Sequence, residues 1–148
     1  MMYTGCLPDT PDSRDYKAEP LMASSPAVDW SKEFFLPQPP LWNQQSSDSC
    51  VGAAWSYYHW QLTGKDYSRK SVFAYIAQAY GAYIRDGGVR IVKFGQETQE
   101  ETPDPEIRTY ESMRDKTGLN EADALDDRAI NSFSLNNSID DCAKCVRL

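Results

Sequence analysis

Cys50 and Gln44 are the residues of this 148-residue chain best suited to chemistry. They lie in Leu41-Trp42-Asn43-Gln44-Gln45-Ser46-Ser47-Asp48-Ser49-Cys50-Val51-Gly52-Ala53-Ala54-Trp55, the glutamine six residues before the cysteine. A small and aromatic run of helical character follows at once, with Ser49 as the candidate N-cap. A thiol at a helix start meets the positive end of the helix dipole, which favours the thiolate. The Gln44 amide and the backbone N–H groups of the helix start are suitable donors to an oxyanion formed by attack on a carbonyl. The base is what the pattern lacks. The single histidine, His59, lies nine residues further along the same expected helix. The helical rise separates the two by about 13 Å, beyond hydrogen-bond reach. His59 therefore reads as a packing or surface residue.

Each candidate has a plainer reading. A free cysteine is ordinarily a small buried hydrophobe, and only the glutamine spacing and the upstream sequence lift Cys50 above that. Cys142 and Cys145 form Cys-Ala-Lys-Cys. A lone pair without a second ligand pair is a poor metal site, so both read as core contacts of a helix. Trp55, Tyr57, Tyr58 and Trp60 have helical spacing and read as core rather than as a stacking platform.

The segment around Cys50 resembles the nucleophile motif of papain-like cysteine peptidases, in which a glutamine, a short turn and Ser-Cys open a long central helix. The family's glutamine falls on Gln44 and its cysteine on Cys50. Upstream, Gly5-Cys6-Leu7-Pro8-Asp9-Thr10-Pro11-Asp12-Ser13-Arg14-Asp15-Tyr16 is similar to the N-terminal run of many microbial members, and Val28-Asp29-Trp30 resembles the entry of the mature enzyme. Asp66-Tyr67-Ser68 through Gly95 resembles the second helix and a following short helix. The likeness covers residues 5 to 105 and implies an α+β fold of which this chain is mostly the α part: residues 1–40 an extended propeptide-like or lead-in arm, residues 41–148 the helical lobe. The β-rich lobe bearing the catalytic histidine and asparagine is expected to be absent. The resemblance implies peptide-bond hydrolysis with Cys50 as nucleophile and Gln44 in the oxyanion hole, and a peptide or protein substrate once the site is completed. It implies no metal or organic cofactor. The chain alone is expected to be inactive. The alternative is a catalytically inactive structural or binding component, covered by a second lobe or a larger assembly.

Two departures from the family pattern stand close to the thiol. The glycine that usually follows the oxyanion glutamine is Gln45, and the glycine two before the nucleophile is Asp48. A carboxylate there disfavours the thiolate, and aspartate takes a left-handed backbone less easily than glycine.

The net charge is −7, which argues against nucleic-acid binding. Hydrophobic residues make up 41% and charged residues 25%, ordinary values for a globular domain. No apolar stretch approaches a membrane span, and the N-terminus lacks a signal-peptide pattern. Four cysteines in a chain of this length do not suggest a disulfide scaffold, so a reducing compartment is expected.

The elements that must position Cys50 follow from caps and breakers. Seven of the nine prolines fall in residues 1–40, which predicts an extended arm. A helix is expected from Cys50 to about Leu62, stopped by Gly64, with Ala53, Ala54, Tyr57 and Trp60 or Gln61 inward. Ser68 should cap a second helix carrying Val72, Ile76, Ala79, Tyr80 and Tyr83. Residues 86–94 fit a helix or a strand, Gly87-Gly88 weakening the former, and the resemblance favours a short helix closed by Gly95. Asp104-Pro105-Glu106 should start a helix bearing Ile107, Tyr110 and Met113. Asn120 should cap one through Ala129, and Ser138 with Asp141 one from Ile139 to Val146. Residues 97–127 hold eleven acids and three bases, a solvated face or a mobile region.

Overall fold

The computed structural model describes residues 5–13, 31, 37–79 and 81–129. The chain divides into two compact units, residues 1–10 with 37–130, and residues 11–36 with 131–148. Of the second unit only 11–13 and 31 are described. The helix expected over Ile139–Val146, with Cys142 and Cys145, and Tyr80 of the expected second helix lie outside the described residues.

In the first unit, strand β1 (Gly5–Leu7) is followed by helix α1 (Cys50–Thr63), helix α2 (Arg69–Ile76), strand β2 (Gly81–Tyr83), helix α3 (Ile84–Lys93), helix α4 (Tyr110–Arg114) and helix α5 (Glu121–Ala124). A 3-10 turn, Leu125–Asp127, continues α5. The architecture is mostly helical with a two-stranded parallel sheet, in register Gly5↔Gly81, Cys6↔Ala82 and Leu7↔Tyr83. Among the described residues no helix is long and apolar enough to cross a membrane.

Helix α1 begins and ends where the sequence indicates, with Gly64 left-handed at φ 75°. Its buried face differs from the expected one. Val51, Gly52, Ser56 and His59 point inward, while Ala54 is exposed and Tyr57 half-buried. Close packing against α2 selects this face: a Cβ at Gly52 would stand 2.8 Å from the Arg69 carbonyl oxygen. The Ser68 side chain caps α2 by accepting from Ser71 N–H, but the helix stops at Ile76. Ala79 is exposed and Tyr83 belongs to β2. Helix α3 includes Gly87-Gly88, and the Trp55 ring packs on Gly87 where a Cβ would stand 2.2 Å from Trp55 Cδ1.

The expected helix from Asp104 is replaced by a shorter one. Asp104 is engaged elsewhere: its carboxylate accepts from Lys70 N at 2.8 Å and from Ser68 Oγ at 3.2 Å. Thr109 and Ser112 instead form a reciprocal capping box for α4. Ile107 is exposed and Met113 fully buried. Asn120 caps α5 as expected, although α5 ends at Ala124. The acidic tract is partly internal, since buried Glu97 accepts from Asn120 N at 2.7 Å and from the Thr102 hydroxyl. The core is Val51, Val72, Phe73, Ile76, Ala82, Ile91 and Met113, drawn from α1, α2, β2, α3 and α4.

Candidate active site

Cys50 is the first residue of α1, the longest helix among the described residues. The turn before it is held by hydrogen bonds that radiate from Gln44. The Gln44 carbonyl accepts from Ser47 N at 3.2 Å and from Ser47 Oγ at 2.6 Å. Ser47 Oγ in turn lies 2.6 Å from Ser49 Oγ. Ser49 thus occupies the N-cap without capping through its side chain; its hydroxyl is spent on stiffening the turn. Ser47 and Ser49 are fully buried, so these bonds form away from water, where an unmet partner would be costly.

The backbone at the two departures from the family pattern is left-handed. Gln45 has φ 53° and Asp48 φ 52°. These are the positions where the resemblance expects glycine, so the turn keeps a glycine-type path without glycine. A non-glycine residue there bears a steric cost of about 1–2 kcal/mol. Gln45 offsets its share by hydrogen bonding: Nε2 donates to the Glu106 carbonyl at 3.1 Å and Oε1 accepts from Arg108 N at 3.0 Å.

Gln44 is half-buried, and its Oε1 is buried with no hydrogen-bond partner among the described residues. Trp42 is also half-buried. The guanidinium groups of Arg69 and Arg108 stand 5.5 and 5.1 Å from its ring centroid, a cation–π arrangement. An open groove of about 690 Å³ runs past Asp48, lined also by Ser46, Ala77, Gln78, Tyr110 and Arg114.

The Cys50 thiol is pushed above its ordinary value. Burial is the largest cause, the neighbouring Cys6 thiol the next, and Asp48 adds in the same direction. The backbone N–H groups of Val51 and Cys50 oppose them by favouring the thiolate. The helix-start effect expected from sequence is therefore present but outweighed, and the thiol is a weaker acid than an ordinary cysteine. The sequence placed Cys6 only within the N-terminal run and gave no sign of its approach to Cys50. Cys6 lies in β1, opposite Ala82 of the distant β2.

His59 is buried and committed to the interior. Its Nδ1 lies 3.2 Å from Gln96 Oε1, and its ring stacks on Tyr67 with centroids 4.1 Å apart. Gln96 also donates to the Ser68 carbonyl at 2.9 Å. Burial lowers the His59 pKa, the Gln96 contact opposing, so the ring is held neutral. Among the described residues no group of three or more histidine, cysteine or acidic side chains is placed to hold a metal ion.

No protein-family model matches the sequence, and no curated relative does. Among solved structures the chain is similar to xylellain, a cysteine protease from Xylella fastidiosa, with a TM-score of 0.65 and 20% sequence identity. The match covers 97% of this chain and 62% of that one, so the chain spans less than two thirds of its length. At this identity the likeness is one of fold, and the fold it shows is papain-like.

Proposed function

We propose that this chain carries the nucleophile half of a papain-like cysteine-peptidase site, with Cys50 as nucleophile and Gln44 as oxyanion donor. The observation that carries the reading is the position of Cys50 at the first residue of α1, after a turn with left-handed residues at 45 and 48. In the reaction, the Cys50 sulfur bonds to a peptide carbonyl carbon and the carbonyl electrons move to oxygen. The Gln44 side-chain N–H and the Cys50 backbone N–H would stabilise that oxyanion. Collapse expels the amine, which takes up a proton, and water then hydrolyses the thioester.

The thiol proton needs an acceptor that His59 cannot be, because its Nδ1 is held by Gln96 and its ring by Tyr67. The acceptor would be an imidazole outside these 148 residues. The chain alone should therefore not turn over peptides at neutral pH. Assay of a generic peptide substrate beside a Cys50→Ala variant tests this, and turnover that vanishes in the variant would overturn the assignment of the missing base.

The raised thiol favours a second reading, a papain-like lobe kept as a binding or structural component without catalysis. A completed site still unable to cleave, yet able to retain a peptide, would select it.

A further inference from the structure

We propose that the cavity beside Arg90 is a binding site for a free α-amino acid with an apolar side chain. The cavity, of about 310 Å³, is lined by Tyr75, Ile76, Val89 and Phe94 together with Asp86, Arg90 and Glu121. It uses none of the residues given to the peptidase chemistry, so it stands independently of that reading.

Arg90 is only 4% exposed. Two rings hold its guanidinium, with Cζ 3.8 Å from the Tyr75 centroid and 4.9 Å from that of Phe94. Nη1 donates to Glu121 Oε1 at 3.1 Å. Nε and Nη2 are buried and have no hydrogen-bond partner among the described residues. Those two nitrogens form the side-on edge of a guanidinium, whose parallel N–H groups match the two oxygens of a carboxylate. A buried charged donor pair left unmet is costly and points to a missing partner. Glu121 is spent on the other nitrogen. Its side chain is 52% exposed and tied by that one bond, so it can swing aside to admit a ligand.

The acids of the cavity decide what else the ligand carries. Asp86 is half-buried and lies one turn before Arg90 on α3. An acid four residues ahead of an arginine is well placed to pair with it. Yet the two form no ion pair, and the Asp86 carboxylate has no hydrogen-bond partner among the described residues. A simple anion would meet the repulsion of Asp86 and Glu121, and a simple cation that of Arg90. An α-amino acid bears a carboxylate and an ammonium on one carbon, and so answers both: its carboxylate for the free edge of Arg90, its ammonium for the two acids. Ile76, Val89 and Phe94 supply an apolar wall for its side chain, and Val89 and Phe94 are 39% and 41% exposed without it. The volume is at the low end of that of small-molecule sites, about 300–1,000 Å³, which suits one amino acid rather than a peptide.

Titration of L-leucine into the full chain, followed by nitrogen-15 NMR at neutral pH, tests the site. L-Leucinamide, which lacks the carboxylate, and isocaproate, which lacks the ammonium, are the comparisons. L-Leucine should bind at millimolar concentration or below and move the Arg90 Nε–H resonance, identified by its loss in Arg90→Lys. Each comparison compound should bind roughly tenfold more weakly or worse, as loss of a charged hydrogen bond implies. Arg90→Lys keeps the charge and loses the side-on edge, and should weaken L-leucine by a similar factor. If circular dichroism shows that this buried change unfolds the chain, Asp86→Asn decides instead, and should bring L-leucine down to the level of isocaproate. Failure of L-leucine to bind at tens of millimolar, equal binding of either comparison compound, or an Arg90 Nε–H resonance that does not move would overturn the proposal and leave the edge to an ordered water.

Discussion

The Gln45 side-chain amide accepts from the Arg108 backbone N–H at 3.0 Å, and its other end donates to the Glu106 carbonyl at 3.1 Å. The turn that delivers Cys50 is thereby tied to the segment entering α4. Gln45 combines a left-handed backbone with this two-point clamp, and substitution separates the two. Gln45→Ala keeps the backbone cost and loses both bonds, and should destabilise the fold by about 1–2 kcal/mol. Gln45→Gly loses the bonds but removes the steric cost, and should fall well short of that. Urea midpoints of the two variants decide it; equal losses would show that the backbone carries no strain.

Asp48 sets a second test. It combines φ 52° with a carboxylate that pushes the Cys50 thiol up. Asp48→Gly should stabilise the chain by up to about 1 kcal/mol. It should also move the alkylation pH profile of Cys50 part of the way toward that of a free thiol. Only part is expected, because burial and Cys6 are the larger causes. Site-resolved mass spectrometry of iodoacetamide labelling between neutral and alkaline pH reads the shift.

His59 predicts a pH dependence of stability. Its folded pKa is lowered from 6.5, chiefly by burial, so in that range the unfolded chain binds more protons than the folded one. Stability then rises with pH. The neutral-pH contribution is lost as pH falls through the ordinary histidine value toward the lower folded one. Denaturation midpoints at pH 7.5 and 5.5 should converge in His59→Gln relative to the unaltered chain. An unchanged difference would assign the dependence to other groups.

Gly52 is where α1 and α2 touch. A Cβ there would stand 2.8 Å from the Arg69 carbonyl oxygen and 3.0 Å from Phe73 Cβ. Gly52→Ala should cost about 1–3 kcal/mol by forcing the helices apart. Thermal unfolding measures it, with Gly64→Ala as a control for strain without crowding, since nothing stands within 4 Å of a Cβ at Gly64.

The start and stop of α1 and the Ser68 cap were legible in the sequence, because caps and glycines act over a few residues, whereas residues 86–94 fitted a helix or a strand and only the resemblance favoured the helix that forms. The buried face of α1 was not. Hydrophobic spacing points to alanine and tyrosine, whereas the interior takes Ser56 and His59, whose polar groups are met by Gln96 from beyond α3. Strand β2 was read as helix, since nothing local announces a partner as distant as Gly5. The helix expected from Asp104 does not start there because its start residue is drawn away by Lys70 and Ser68. Cys50 and Gln44 were found from spacing and resemblance, but the rise in the thiol pKa depends on burial and on Cys6, which only the fold brings near.

The central claim is that Cys50 is placed for attack and Gln44 for oxyanion support. Reduced chain incubated with a peptidyl aldehyde, which adds a thiol to give a tetrahedral hemithioacetal, addresses both at once. Carbon-13 NMR of the labelled aldehyde carbon should show the adduct in the unaltered chain and none in Cys50→Ala. Gln44→Ala should weaken adduct formation roughly tenfold or more, as loss of a single oxyanion donor does. An adduct that survives Cys50→Ala, or one that is indifferent to Gln44→Ala, would contradict the account.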